Sequence, residues 1–69
     1  MSSSAQNLLY GITAARMDLH NADQVVQGVI AGKTPAKNPR AAVLEYIGSA
    51  AQALKEARKE AKKLPTRNS

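Results

Sequence analysis

Apolar residues at Leu8, Ile12, Ala15, Leu19, Ala22, Val26 and Val29 follow one another at intervals of 4, 3, 4, 3, 4 and 3. The same series returns at Val43, Ile47, Ala50, Leu54, Ala57, Ala61 and Leu64. Intervals averaging three and a half residues hold a stripe on one side of an α-helix, whereas a half-buried strand needs alternation in twos. The spacing predicts two helices of equal length, each with one apolar seam.

Local signals set the ends of these helices. Ser3 with Gln6 three residues on forms a capping box, the hydroxyl and amide side chains satisfying free N–H groups at the helix start. Gly32 suits a left-handed terminating residue, and Thr34-Pro35 cannot continue a helix. Asn38 and Pro39 restart it as N-cap and first helical residue. Pro65 stops the second helix, with Lys62 and Lys63 in its last turn, where cations suit the helix dipole. The expectation is helix 1 at about 4–31, a turn at 32–38, helix 2 at about 39–64 and a basic tail at 65–69, all in one domain.

A connection this short folds the helices back antiparallel. Pairing Val29 with Val43, Ala22 with Ala50, Ala15 with Ala57 and Leu8 with Leu64 holds one register, and Ile12/Ala61, Leu19/Leu54 and Val26/Ile47 fill the layers between. The predicted fold is an all-α antiparallel helical hairpin with a coiled-coil-like seam.

Nine large apolar residues lie on these seams, but Leu9, Tyr10, Met17, Val25, Ile30, Leu44 and Tyr46 do not. A chain of 69 residues is small for an independent core, and each large side chain left wet forfeits about 1.5–3 kcal/mol. These seven are therefore the expected protein interface. The hairpin is expected to dimerise into a four-helix bundle or to pack in a larger assembly.

Charge is uneven along the chain. Residues 1–31 carry one Arg and two Asp, while residues 32–69 carry nine Lys or Arg and three Glu. Lys55, Arg58, Lys59, Lys62 and Lys63 lie off the seam, with Arg67 in the tail, and such a basic stripe suits a phosphate backbone. The same residues also read as a solvated helical face, with Glu56–Lys59 and Glu60–Lys63 pairs keeping it soluble. No aromatic residue interleaves the stripe to stack on bases.

Other functional classes find little support. The chain has no cysteine, which excludes disulfides, thiolate metal sites and a thiol nucleophile. His20 has only Asp23 near it on the helix, and two ligands do not make a metal site. No glycine-rich phosphate loop or Ser/His/Asp set is present, and a hairpin offers no water-excluding pocket, so neither catalysis nor a small-molecule substrate is expected. No cofactor is expected. The start of the chain lacks the basic and apolar regions of a secretory leader, and no stretch approaches a membrane span, so the chain reads as soluble and intracellular.

The turn Pro35-Ala-Lys-Asn-Pro39, followed by an apolar helix, resembles over about a dozen residues the proline-flanked turn of type III secretion needle subunits, also helical hairpins. At the level of fold alone, the hairpin is similar to the plasmid RNA-binding hairpins of the Rop type, with no motif shared. The functional expectation is a non-enzymatic interaction or assembly subunit: a small regulator, or a phage or secretion component. The alternative is a regulator that binds DNA or RNA as a hairpin dimer through backbone phosphates.

Overall fold

The computed structural model describes residues 3–33 and 36–65. They form two helices, α1 (Ser4–Ile30) and α2 (Pro39–Ala61), packed side by side and joined by a short turn, which is the predicted hairpin. Thr34, Pro35 and the tail from residue 66 lie outside the described residues, so the proposed helix stop at Thr34-Pro35 is not among them.

The caps form much as the sequence implies. Ser3 Oγ accepts a hydrogen bond from Gln6 N–H at 3.1 Å, and Asn38 Oδ1 accepts one from Ala41 N–H at 3.1 Å with Pro39 following. The reciprocal half of the capping box differs: Gln6 Nε2 donates to Tyr10 Oη at 3.3 Å instead of turning back to Ser3. At the far end of α1, Gly32 takes φ +76°, Lys33 N–H reaches Gly28 O at 2.8 Å and Gly32 N–H reaches Val29 O at 3.0 Å. This pair of bonds is the Schellman arrangement, in which a left-handed glycine lets the last carbonyls be satisfied. Helix α2 ends at Ala61, short of residue 64. Lys63 and Leu64 turn back onto Glu60 O and Ala61 O at 3.0 and 3.1 Å, tightening the chain just before Pro65.

The seam itself is rotated from the predicted one. Among the described residues, those buried are Ala15, Ala22, Val25, Ala50 and Ala57, and no larger side chain is buried. Half-buried positions continue this line at Leu8, Gly11 and Asp18 on α1 and at Val43, Tyr46, Ala53 and Glu60 on α2, with Leu64 just past its end. The sevenfold repeats 8/15/22 and 43/50/57/64 are therefore common to both readings. Between them, Gly11, Asp18 and Val25 replace Ile12, Leu19 and Val26, while Tyr46, Ala53 and Glu60 replace Ile47, Leu54 and Ala61. Each helix has rolled about its axis by roughly half a residue step, about 50°.

Small residues explain the roll. Alanine and glycine between helices allow close approach and many dispersion contacts, which branched Ile and Leu side chains would hold off. Gly11 marks the close approach: a Cβ placed there would lie 3.1 Å from Ala57 Cβ and 3.5 Å from Ala53 O. Ala57 thus packs one turn N-terminal of Ala15, its partner in the sequence-based register.

Candidate interaction surface

Rolling both helices moves the large apolar rows out of the seam. Ile12, Leu19 and Val26 emerge along one edge of α1, and Ile47 and Leu54 along one edge of α2, each 40–49% exposed. Because the helices run antiparallel, equivalent rolls bring the two rows out on the same side of the hairpin. An open apolar groove of about 610 Å³ at the turn end fixes which side this is. Val26, Val29 and Ile30 line it from α1, and Pro39, Arg40, Val43 and Leu44 from α2. Seven-residue steps from Val26 lead back to Leu19 and Ile12, and from Arg40 forward to Ile47 and Leu54. One face of the hairpin therefore carries a row of large apolar residues, interspersed with Arg16, Asp23 and Arg40 and widened at its margins by Leu9, Ile30 and Leu44.

The seven residues expected at the interface fall into three places. Leu9, Ile30 and Leu44 are exposed and lie with the strip, Ile30 being 74% exposed. Tyr10 and Met17 are exposed as well, but sit about 100° further round α1, on its outer side. Val25 and Tyr46 are not left over at all: Val25 is buried between the helices and Tyr46 is half-buried on the seam side of α2. In exchange, Ile12, Leu19, Val26, Val29, Ile47 and Leu54, expected in the core, are exposed. The signal that finds them is the alternative sevenfold row beside each alanine row, which periodicity reads equally well from either side.

The cations occupy the outside of α2 and the residues just beyond its end. Lys55, Arg58 and Lys59 are exposed on the helix, while Lys62 and Lys63 lie at and past its C-terminus rather than within its last turn. Ion pairs form where the sequence places them, Lys59 Nζ to Glu56 at 3.7 Å and Lys63 Nζ to Glu60 at 3.5 Å. Arg67 lies outside the described residues. His20 and Asp23 are both exposed on α1, and among the described residues no three His, Asp or Glu side chains converge on a point. No helix among the described residues is long and apolar enough to cross a membrane.

No protein-family model matches the chain, and neither a curated protein nor a solved structure matches it.

Proposed function

We propose that the protein is a non-enzymatic interaction subunit whose working surface is the apolar strip running over both helices. The observation that supports this most directly is the inversion of the usual inside and outside. The seam buries four alanines and one valine, whereas Ile12, Leu19, Val26, Ile47 and Leu54 meet water. A seam of small residues contributes little burial, and a hairpin gains most of its stability only when the larger side chains are also covered. Contiguous apolar surface of this kind marks a protein contact. The basic stripe supports nucleic-acid binding less well, since Glu56 and Glu60 already engage two of its cations.

Light scattering on a sizing column, with helicity followed by circular dichroism over a dilution series, tests the reading. An interaction subunit gives either an assembly larger than one chain or a hairpin that loses helicity on dilution and regains it with its partner. A monomer that stays helical and unfolds cooperatively at micromolar concentration overturns the proposal.

A further inference from the structure

The apolar strip carries a pattern that reads nearly the same from either end. Along its α1 edge lie Leu9, Ile12, Arg16, Leu19, Asp23, Val26 and Ile30. Inverted about Leu19, Ile12 falls at the level of Val26, while Leu9 and Arg16 fall within one residue of Ile30 and Asp23. Each step therefore exchanges apolar for apolar and cation for anion. Along the α2 edge, inversion midway between Ala50 and Ala51 exchanges Ile47 with Leu54 and brings Leu44 within one residue of Arg58, so the symmetry there is partial. The two centres stand at nearly the same height. Gly11 lies against Ala57, so eight residues up α1 and eight back along α2 place Leu19 level with residue 49. Ala51 is two residues away, about 3 Å along the axis. A single two-fold axis can therefore serve both helices.

We propose that the occupant of this face is a second copy of the chain, docked face to face across a two-fold axis that crosses the hairpin at the level of Leu19 and Ala51. The inference rests on the interaction-face reading and names its partner. In this arrangement the two turns lie at opposite ends, α1 packs antiparallel on α1 of the second copy, and α2 on α2. Leu19 meets its own symmetry mate, and Arg16 of each copy faces Asp23 of the other, twice per dimer.

Shape and charge both favour this occupant. The chain exposes 5,665 Å², against about 4,200 Å² for a compact monomer of 7.3 kDa, as an elongated two-helix layer that lacks a second layer does. The alternative two-fold, with both turns at one end, sets α1 against α2 of the second copy. It brings Arg16 to the level of Ala51 and Leu54, and Asp23 to that of Leu44 and Ile47, leaving both charges against apolar neighbours. That arrangement leaves both charges without an opposite partner, whereas the opposed one pairs each Arg16 with an Asp23 and sets only Arg58 beside an apolar residue, Leu44, which favours the opposed arrangement.

The chain has no cysteine, so a single Lys37→Cys variant takes one spin label at the exposed turn. Pulsed dipolar spectroscopy on the dimer is expected to give a distance of roughly 40 Å, twice the about 20 Å that separates Lys37 from the level of Leu19 along the helix axis. Turns at one end would instead give roughly 10–20 Å, the spacing of packed helix layers. Charge exchange provides the second measurement. Arg16 and Asp23 are exposed in the hairpin, seven residues apart and beyond each other's reach, so reversing them leaves its fold in place. Arg16→Asp is expected to weaken dimerisation on the order of tenfold, and adding Asp23→Arg to restore it. A short label distance, failure of the double exchange to rescue, or a higher oligomer overturns the proposal and leaves the interaction face standing. So does a chain that stays monomeric alone but binds a different protein or anionic vesicles through the strip. A stable helical monomer without any partner overturns both.

Discussion

Gly11 and Ala57 bring the two helix backbones so close that a methyl group on Gly11 would lie 3.1 Å from Ala57 Cβ and 3.6 Å from its Cα. Neither atom can rotate away, so the helices themselves would have to part. Gly48 is the counter-case, a mid-helix glycine with open space where its Cβ would be. Gly48→Ala is expected to stabilise the protein by about 0.5–1 kcal/mol through helix propensity alone. Gly11→Ala gains the same propensity but loses more to overpacking, which costs about 1–3 kcal/mol. Thermal unfolding by circular dichroism should therefore move in opposite directions for the two variants. An equal rise in both would mean that the close approach at Gly11 is absent.

The turn depends on two residues of opposite requirement. Gly32 occupies the left-handed region at φ +76°, so Gly32→Ala is expected to cost about 1 kcal/mol from backbone strain, although nothing blocks the added methyl. Asn38→Ala removes the acceptor of Ala41 N–H and should cost about 1 kcal/mol, whereas Asn38→Asp or Asn38→Ser should largely preserve stability. Urea denaturation of the four variants checks the ranking.

Leu19 and Leu54 are 49% and 47% exposed, which changes what a charge there does. Were they buried between the helices, Asp at either site would destroy cooperative folding outright. On an exposed strip, Leu19→Asp and Leu54→Asp are expected to shift the assembly toward single chains by about 2 kcal/mol or more while leaving the hairpin able to form at high concentration. Sedimentation combined with far-ultraviolet circular dichroism separates the two outcomes.

For nucleic acid, the geometry sets a ceiling. If the exposed pairs of Lys59 and Lys63 with Glu56 and Glu60 persist on binding, Lys55, Arg58 and Lys62 are the phosphate contacts left in the helical part of the stripe. Any duplex binding through them is expected to have a log–log salt slope no steeper than about −3 per hairpin. It should also show little sequence preference, because no polar base-reading group or aromatic residue stands among these cations. Titration of labelled duplexes at several salt concentrations measures the slope. A slope near about −5 would bring the whole stripe back as a binding surface.

The helices, caps and hairpin topology were legible in the sequence because each depends on neighbours a few residues apart. Ser3, Gly32 and Asn38 act on their own turns, and the sevenfold recurrence of Ala15 and Ala22 orients a whole helix. The roll about the axis was not legible. Ala15 has Ile12 on one side and Gly11 on the other, and counting apolar residues favours Ile12, whereas close backbone packing favours Gly11. That competition is decided between helices, by shape, and no single-helix pattern contains it. The same half step hid Val25 and Tyr46 in the seam and brought Leu19 and Leu54 to the surface.

The alanine seam is also nearly featureless as a ruler. Ala15 and Ala22 on one helix and Ala50 and Ala57 on the other recur with equal sevenfold spacing, so sliding one helix by two turns would set small residues on small residues again. What forbids the slide is the turn, pinned at one end by Gly32 and at the other by Asn38, together with the single notch at Gly11. Registration in this molecule is therefore held at its two extremities rather than along its length, as on a zip whose teeth are identical and whose stops alone set the alignment.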